Sequence, residues 1–212
     1  MQKRGMTSFL GRSMVEMLGV LAIIGVLSVG VLAGYSKAMK QHRLNRQTEQ
    51  VNTIVSAVVR HWNDLKDIPV NSSSTSWVSL LKAMGEIPQD MYFKAVSYRE
   101  VLQDTLKTRY RIYHHDTGYV AITAEIDNSD VSVESCRNIY KTLIPWSPEL
   151  LRVQILRDYS GSPSLYTSTW HGDKACSLFP DNCLKNLTIS DLEDLCNVCE
   201  ETRLCRIFIR FK

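Results

Sequence analysis

Residues 16–35 read EMLGVLAIIGVLSVGVLAGY, and the reading of this stretch decides the architecture. From Met17 to Tyr35 there are nineteen residues without a charge, and Ser28 and the Tyr35 hydroxyl are their only clearly polar groups. As a helix rising ~1.5 Å per residue the run spans about 28 Å, close to the ~30 Å hydrocarbon core of a bilayer. Glu16 stands at its entrance. A carboxylate is costly to place beside lipid, so it reads as a functional group awaiting a partner. No Pro occurs before Pro69. Gly30 and Gly34 are therefore the places where the helix can bend, and their spacing permits close approach of a second apolar helix.

Past Lys40 the pattern changes rather than stops. Val51, Ile54, Val55, Val58 and Trp62 recur at steps of three and four, with Leu44 one heptad before Val51, while Arg46, Glu49, Gln50, Thr53, Ser56 and Arg60 fall mainly on other faces. That is an amphipathic stripe of helical period. One helix of about fifty residues follows, apolar all round in its first half and on one side in its second. The expected fold class is α+β, a long N-terminal helix leaning on a globular head with a small antiparallel sheet.

In the head, Ile68-Pro69 and Asn71 to Ser76 read as a loop, and Trp77 to Met84 as a short helix closed by Gly85. Arg109 to His114 and Tyr119 to Ile126 flank the turn signal Asp116-Thr117-Gly118, a hairpin pattern. His114 and His115 are adjacent, so a strand points them to opposite faces and they do not converge on an ion. Val131 to Leu143 has helical spacing. Leu150 to Leu156 reads either way, since Ser147-Pro148 looks like a helix start while Leu151, Val153 and Ile155 alternate, which favours a strand. Ser160 to Ser168 and Asp173 to Asn182 read as exposed loops. Ser190-Asp191-Leu192-Glu193 resembles a capping box opening a helix to about Asn197. Cys205, Ile207, Ile209 and Phe211 alternate with Arg206, Phe208, Arg210 and Lys212 as a half-buried strand.

Six cysteines, Cys136, Cys176, Cys183, Cys196, Cys199 and Cys205, all lie beyond the apolar run. An even number confined to an exported head points to disulfides, whose 15 pairings spacing leaves open. Zinc is the alternative, with Cys196-x-x-Cys199 joined by Cys205 and His171, although a second close pair is missing. The formal charge of +3 is too balanced for bulk nucleic-acid affinity, and nucleic acid is not an expected partner. The basic stretch Lys37 to Arg46 reads as the headgroup-facing flank of a membrane helix. There is no nucleophile elbow, phosphate-cradling loop, His-Glu-x-x-His or dinucleotide fingerprint, so neither an enzyme nor a cofactor is expected.

A short basic leader ending in Gly11, then Arg12-Ser13-Met14-Val15-Glu16 and an uninterrupted apolar helix, resembles the prepilin-type processing signal of type IV pilins and type II secretion pseudopilins. The resemblance implies residues 1–11 as a leader, 12–65 as the long helix with a transmembrane segment at about 17–35, and 66–212 as a head with a cysteine-rich C-terminal region. It implies cleavage by a prepilin peptidase between Gly11 and Arg12, N-methylation of Arg12, and Glu16 as the fifth mature residue, pairing during assembly with the α-amine of another subunit. Family members usually begin with an apolar residue, where this chain has Arg12, and many carry a kinking Pro near the twenty-second mature position, here Ala33. The implied partners are other pilin copies, the peptidase, an inner-membrane assembly platform and membrane lipid. The implied location is the bacterial inner membrane as a single-pass protein with a cytoplasmic N-terminus, then a periplasmic or extracellular filament. The alternatives are a type II secretion pseudopilin, a monomeric membrane-anchored binding module, and an ordinary signal peptide cut after Ala33.

Overall fold

The structure is a computed structural model and describes residues 14–70, 74–96, 99–158, 165–201 and 204–211. Helix α1 runs unbroken from Met14 to Arg60, and its hydrogen bonding continues through Gly30 and Gly34. A short helix α2, Trp62–Leu65, follows. The chain divides into two compact units with the boundary between His42 and Arg43. In the first unit the large apolar side chains from Met14 to Tyr35 are 52% to 85% exposed. Ser28 spends its hydroxyl on the Ile24 carbonyl one turn back, 2.7 Å away, and so carries no unpaired donor.

The second unit opens with the amphipathic half of α1. Val51, Ile54, Val55 and Val58 are each 2% exposed or less, which confirms the three-and-four spacing as a core-facing stripe. They meet a sheet built from β1 (Ser74–Ser76), β2 (Tyr92–Val96), β3 (Arg99–Gln103), β4 (Arg109–His115), β5 (Val120–Asp127), β6 (Leu150–Asp158), β7 (Leu165–His171) and β8 (Leu204–Phe211). The spatial order is β2-β3-β4-β5-β8-β6-β7, with β1 added along β4, and every strand pair is antiparallel. The C-terminal strand β8 thus lies between β5 and β6, where both its backbone edges are paired. Its Cys205, Ile207, Ile209 and Phe211 are buried and its Arg206, Phe208 and Arg210 face the other way. Helix α3 (Val78–Ala83) follows β1, and helices α4 (Ser132–Leu143) and α5 (Ile189–Glu201) cover the same apolar side as α1, with Ile139, Leu143, Leu192 and Leu195 in one core.

Several segments depart from the sequence pattern. The run expected as a loop yields strand β1 at Ser74–Ser76, where Ser74, Thr75 and Ser76 pair with His115, His114 and Tyr113; Asn71 to Ser73 lie outside the described residues. β2 and β3 had no expectation, because Lys94, Glu100 and Gln103 interrupt any clean alternation. β7 replaces the second half of the expected loop Ser160 to Ser168; its first half lies outside the described residues. From Ser168 to His171, among the described side chains, only Trp170 is buried, and the strand pairs with β6 along its backbone. Asp173 to Asn182 forms two single turns, Asp173–Ala175 and Pro180–Asn182.

The α5 cap sits two residues earlier than its sequence signature. Thr188 and Asp191 form the reciprocal pair, with Asp191 N–H donating to Thr188 Oγ1 at 3.2 Å and Thr188 N–H to Asp191 Oδ2 at 2.9 Å. The helix then continues to Glu201 instead of ending near Asn197. Geometry requires glycine at Gly85 and at Gly172, as it does at the Gly118 turn (φ +84°). Gly85 takes φ +76° as the left-handed residue closing the helix Val78–Ala83, with Glu86 N–H reaching back to Leu81 O. Gly172 marks a close backbone crossing, since a Cβ there would lie 1.8 Å from the Leu150 carbonyl oxygen.

Candidate functional site

Glu16 lies in the first turn of α1, exposed, at the foot of the apolar surface just described. Carboxylates are favoured at this end of a helix, because the first N–H groups have no intrahelical acceptor. Gly34 lies further along the same helix, and a Cβ built on it meets nothing within 4 Å, so the surface there is flat and open to a second helix. Gly30 sits one turn before it. Gly11 and Arg12 lie outside the described residues.

In the second unit, α1 is locked by polar groups as well as by its apolar stripe. Gln47 is fully buried, and its Nε2 donates to Asp104 Oδ2 and Ser135 Oγ, both at 2.7 Å. Its Oε1 accepts from Asn138 Nδ2 at 3.0 Å, and the same amide reaches the Leu44 carbonyl at 2.9 Å. Asp104 is the centre of this node. It also accepts the Tyr110 hydroxyl at 2.8 Å and the backbone N–H groups of Leu106 and Thr108 at 2.8 and 2.9 Å. Burial pushes the Asp104 carboxyl above its ordinary value, opposed chiefly by the bonds from Gln47 and Tyr110. Burial, then the Asp104 charge, pushes the Tyr110 hydroxyl well up. A network this fully satisfied fixes the register of α1 against the β3–β4 loop and α4, where greasy contacts alone tolerate sliding.

The sequence held a signal for Gln47 that the apolar positions obscured. It lies three residues after Leu44 and four before Val51, on the buried stripe itself, and Gln50, which the pattern set on another face, is 1% exposed because it lies four before Ile54 and faces the same core. Polar residues on a core stripe demand buried partners. Two further tethers come from the segment after the helix Val78–Ala83. Asp90 takes Arg46 at 2.6 Å and Gln50 at 2.8 Å, and Arg46 holds its carboxyl below the ordinary value. Glu86 bonds His61 at 3.0 Å and Arg60 at 2.9 Å, and the His61 bond lowers its pKa.

All six cysteines are paired. Cys136 on α4 joins Cys196 on α5, Cys199 on α5 joins Cys205 on β8, and Cys176 joins Cys183 across the turn after β7. This arrangement corrects the zinc alternative, because Cys196 and Cys199 belong to different bridges and neither is a thiolate. The bridges brace the last forty residues, where the turns between β7 and α5 bury little. His171 stacks on Phe179 with ring centroids 4.1 Å apart, and burial followed by the Arg152 charge lowers its pKa.

No protein-family model and no curated protein matches the chain. Among solved structures it is similar to the crystal structure of type IV b pilin from Salmonella typhi, at 10% sequence identity and a TM-score of 0.41, over 78% of this chain and 97% of that one. The chain itself has an α+β fold, a long apolar-to-amphipathic N-terminal helix whose second half packs on a head with one antiparallel sheet.

Proposed function

We propose that this chain is the precursor of a type IV filament subunit, cut between Gly11 and Arg12 and assembled through the first half of α1. The observation that carries the reading is the pairing of Glu16 with an exposed apolar helix surface from Met14 to Tyr35. The span is long and apolar enough to cross a membrane. Before assembly, lipid covers this surface. In the filament, the same helices of neighbouring copies cover it, and Glu16 pairs with the α-amine of another subunit's Arg12. A carboxylate and an ammonium attract strongly in low dielectric, and either alone is expensive there, so the pair selects one register. The head is carried outward, and its role is structural rather than catalytic.

The test is to shear surface filaments from cells that make the chain and probe the sheared fraction and the membranes for it. The chain is expected in both. A chain found only in membranes, as a monomer, would support an anchored binding module. Retention in a short periplasmic assembly, with protein secretion lost on deletion, would support a secretion pseudopilin.

A further inference from the structure

The sheet side opposite the helices collects arginines that the sequence scatters. Its register sets Arg109, Glu125 and Arg206 in one cross-strand row. The next row holds Arg111, Thr123, Phe208 and Gln154, and the one after it Tyr113, Ala121, Arg210, Arg152 and His171. Strands lie ~4.8 Å apart and alternate residues ~6.8 Å, so five guanidiniums share a patch about 15 Å across. Glu125 serves three of them, with Arg111 at 2.7 Å, Arg206 at 3.3 Å and Arg109 at 3.6 Å, and Asp127 takes Arg109 at 2.8 Å. Arg210 and Arg152 are direct cross-strand neighbours, a placement that like charges disfavour. The aromatic rings among them are already covered: the Arg210 guanidinium lies 4.2 Å from the Tyr119 ring centre, and His115 stacks on the same ring at 4.7 Å. This face therefore offers charge rather than open ring surfaces.

The opposite side of the same head carries the complement. Helix α5 contains Asp191, Glu193, Asp194 and Glu200 and no Lys or Arg. Its Leu192, Leu195, Cys196 and Cys199 are buried, and Cys199 is bridged to Cys205 on the inward side of β8. Glu193, Asp194 and Glu200 consequently point away from the sheet, exposed. At its edge Arg137 of α4 touches Asn197 at 3.4 Å. The arginines leave β8 from the alternate positions, on the other side.

We infer that the arginine face of one head docks on the acidic face of α5 in a second copy of this chain. Basic and acidic faces on opposite sides of one subunit are complementary head to tail. Such a heterologous contact propagates into an open array instead of closing a dimer. The inference deepens the filament reading and rests on it, while placing a second, electrostatic contact in the heads.

The test uses the full chain in detergent, in a Glu16→Ala background, so that a failed helix contact and a failed head contact are distinguishable. Sedimentation is expected to show self-association that weakens about tenfold from low salt to ~0.5 M salt. Arg152→Glu with Arg210→Glu abolishes it, and so does Glu193→Lys with Asp194→Lys. Mixing the two variants restores it, because the acidic α5 of the first meets the intact arginines of the second. Near-ultraviolet dichroism and intact disulfides confirm that each variant folds. The proposal is overturned if either folded variant associates like the parent, or if the mixture fails to associate. It is likewise overturned if the arginine reversal removes binding of a duplex DNA or dextran sulfate probe and leaves self-association unchanged.

Discussion

A chain carrying Glu16→Ala is expected to fold its head and reach the membrane normally, yet to enter filaments about a hundredfold less than the parent. In the proposed contact, removal of the carboxylate leaves the neighbour's α-ammonium without a counter-charge in an apolar environment. Breaking a buried ion pair from one side costs about 3–5 kcal/mol, and ~1.4 kcal/mol is a factor of ten. Glu16→Gln keeps the shape and loses the charge, so it should fall nearly as far, which separates pairing from packing. The head is unaffected because its core begins beyond Arg43 and draws on Val51, Ile54, Val55 and Val58. Quantifying the chain in sheared filaments against membranes reads the effect. Equal incorporation of parent and Glu16→Ala chains would remove Glu16 from the assembly mechanism.

Within the head the largest single loss is expected on removing the Cys136–Cys196 bridge. It closes a segment of 60 residues, whereas Cys176–Cys183 and Cys199–Cys205 close 7 and 6. On the chain-entropy account the long closure restrains the unfolded chain by about 4 kcal/mol and each short one by about 2 kcal/mol. The bridge also joins α4 to α5 in the core, where both sulfurs are fully buried. Cys136→Ala with Cys196→Ala should therefore lower the denaturant midpoint about twice as far as Cys176→Ala with Cys183→Ala. The reverse order would show that the short bridge, which braces the turns after β7, matters more than loop closure allows.

The helix and the edges of the sheet were legible to very different degrees. The apolar run and the stripe through Val58 announce α1 because a helix repeats its buried face every three or four residues. β4 and β8 announce themselves for the equivalent reason, since their buried residues recur at every second position, and β5, buried at most positions, is announced by the turn signal Asp116-Thr117-Gly118 before it. β1, β2, β3 and β7 do not: β2 and β7 are the sheet's edges, β1 is three residues added along β4, and β3 meets β4 through two residues only, so all are held by backbone pairing and need no apolar signature. The node at Gln47 and Asp104 joins positions 57 apart in sequence, and only the fold brings them within 2.7 Å. The arginine face is hidden in the same way: Arg111, Arg152 and Arg210 come from three strands, and the near-balanced charge of the whole chain conceals a patch that exists only once the register is set. The cysteine pairing followed no spacing rule, since Cys196 and Cys199 lie three apart on one helix and bond in different directions.

The proposal of a processed, self-assembling subunit is tested most directly by the N-terminal mass of the chain recovered from cells. A mature N-terminus at Arg12 bearing a methylated α-amine is the expected result. A chain that begins at Met1 would contradict processing and leave a static anchor, and one that begins at Gly34 would mean a released head with no filament helix.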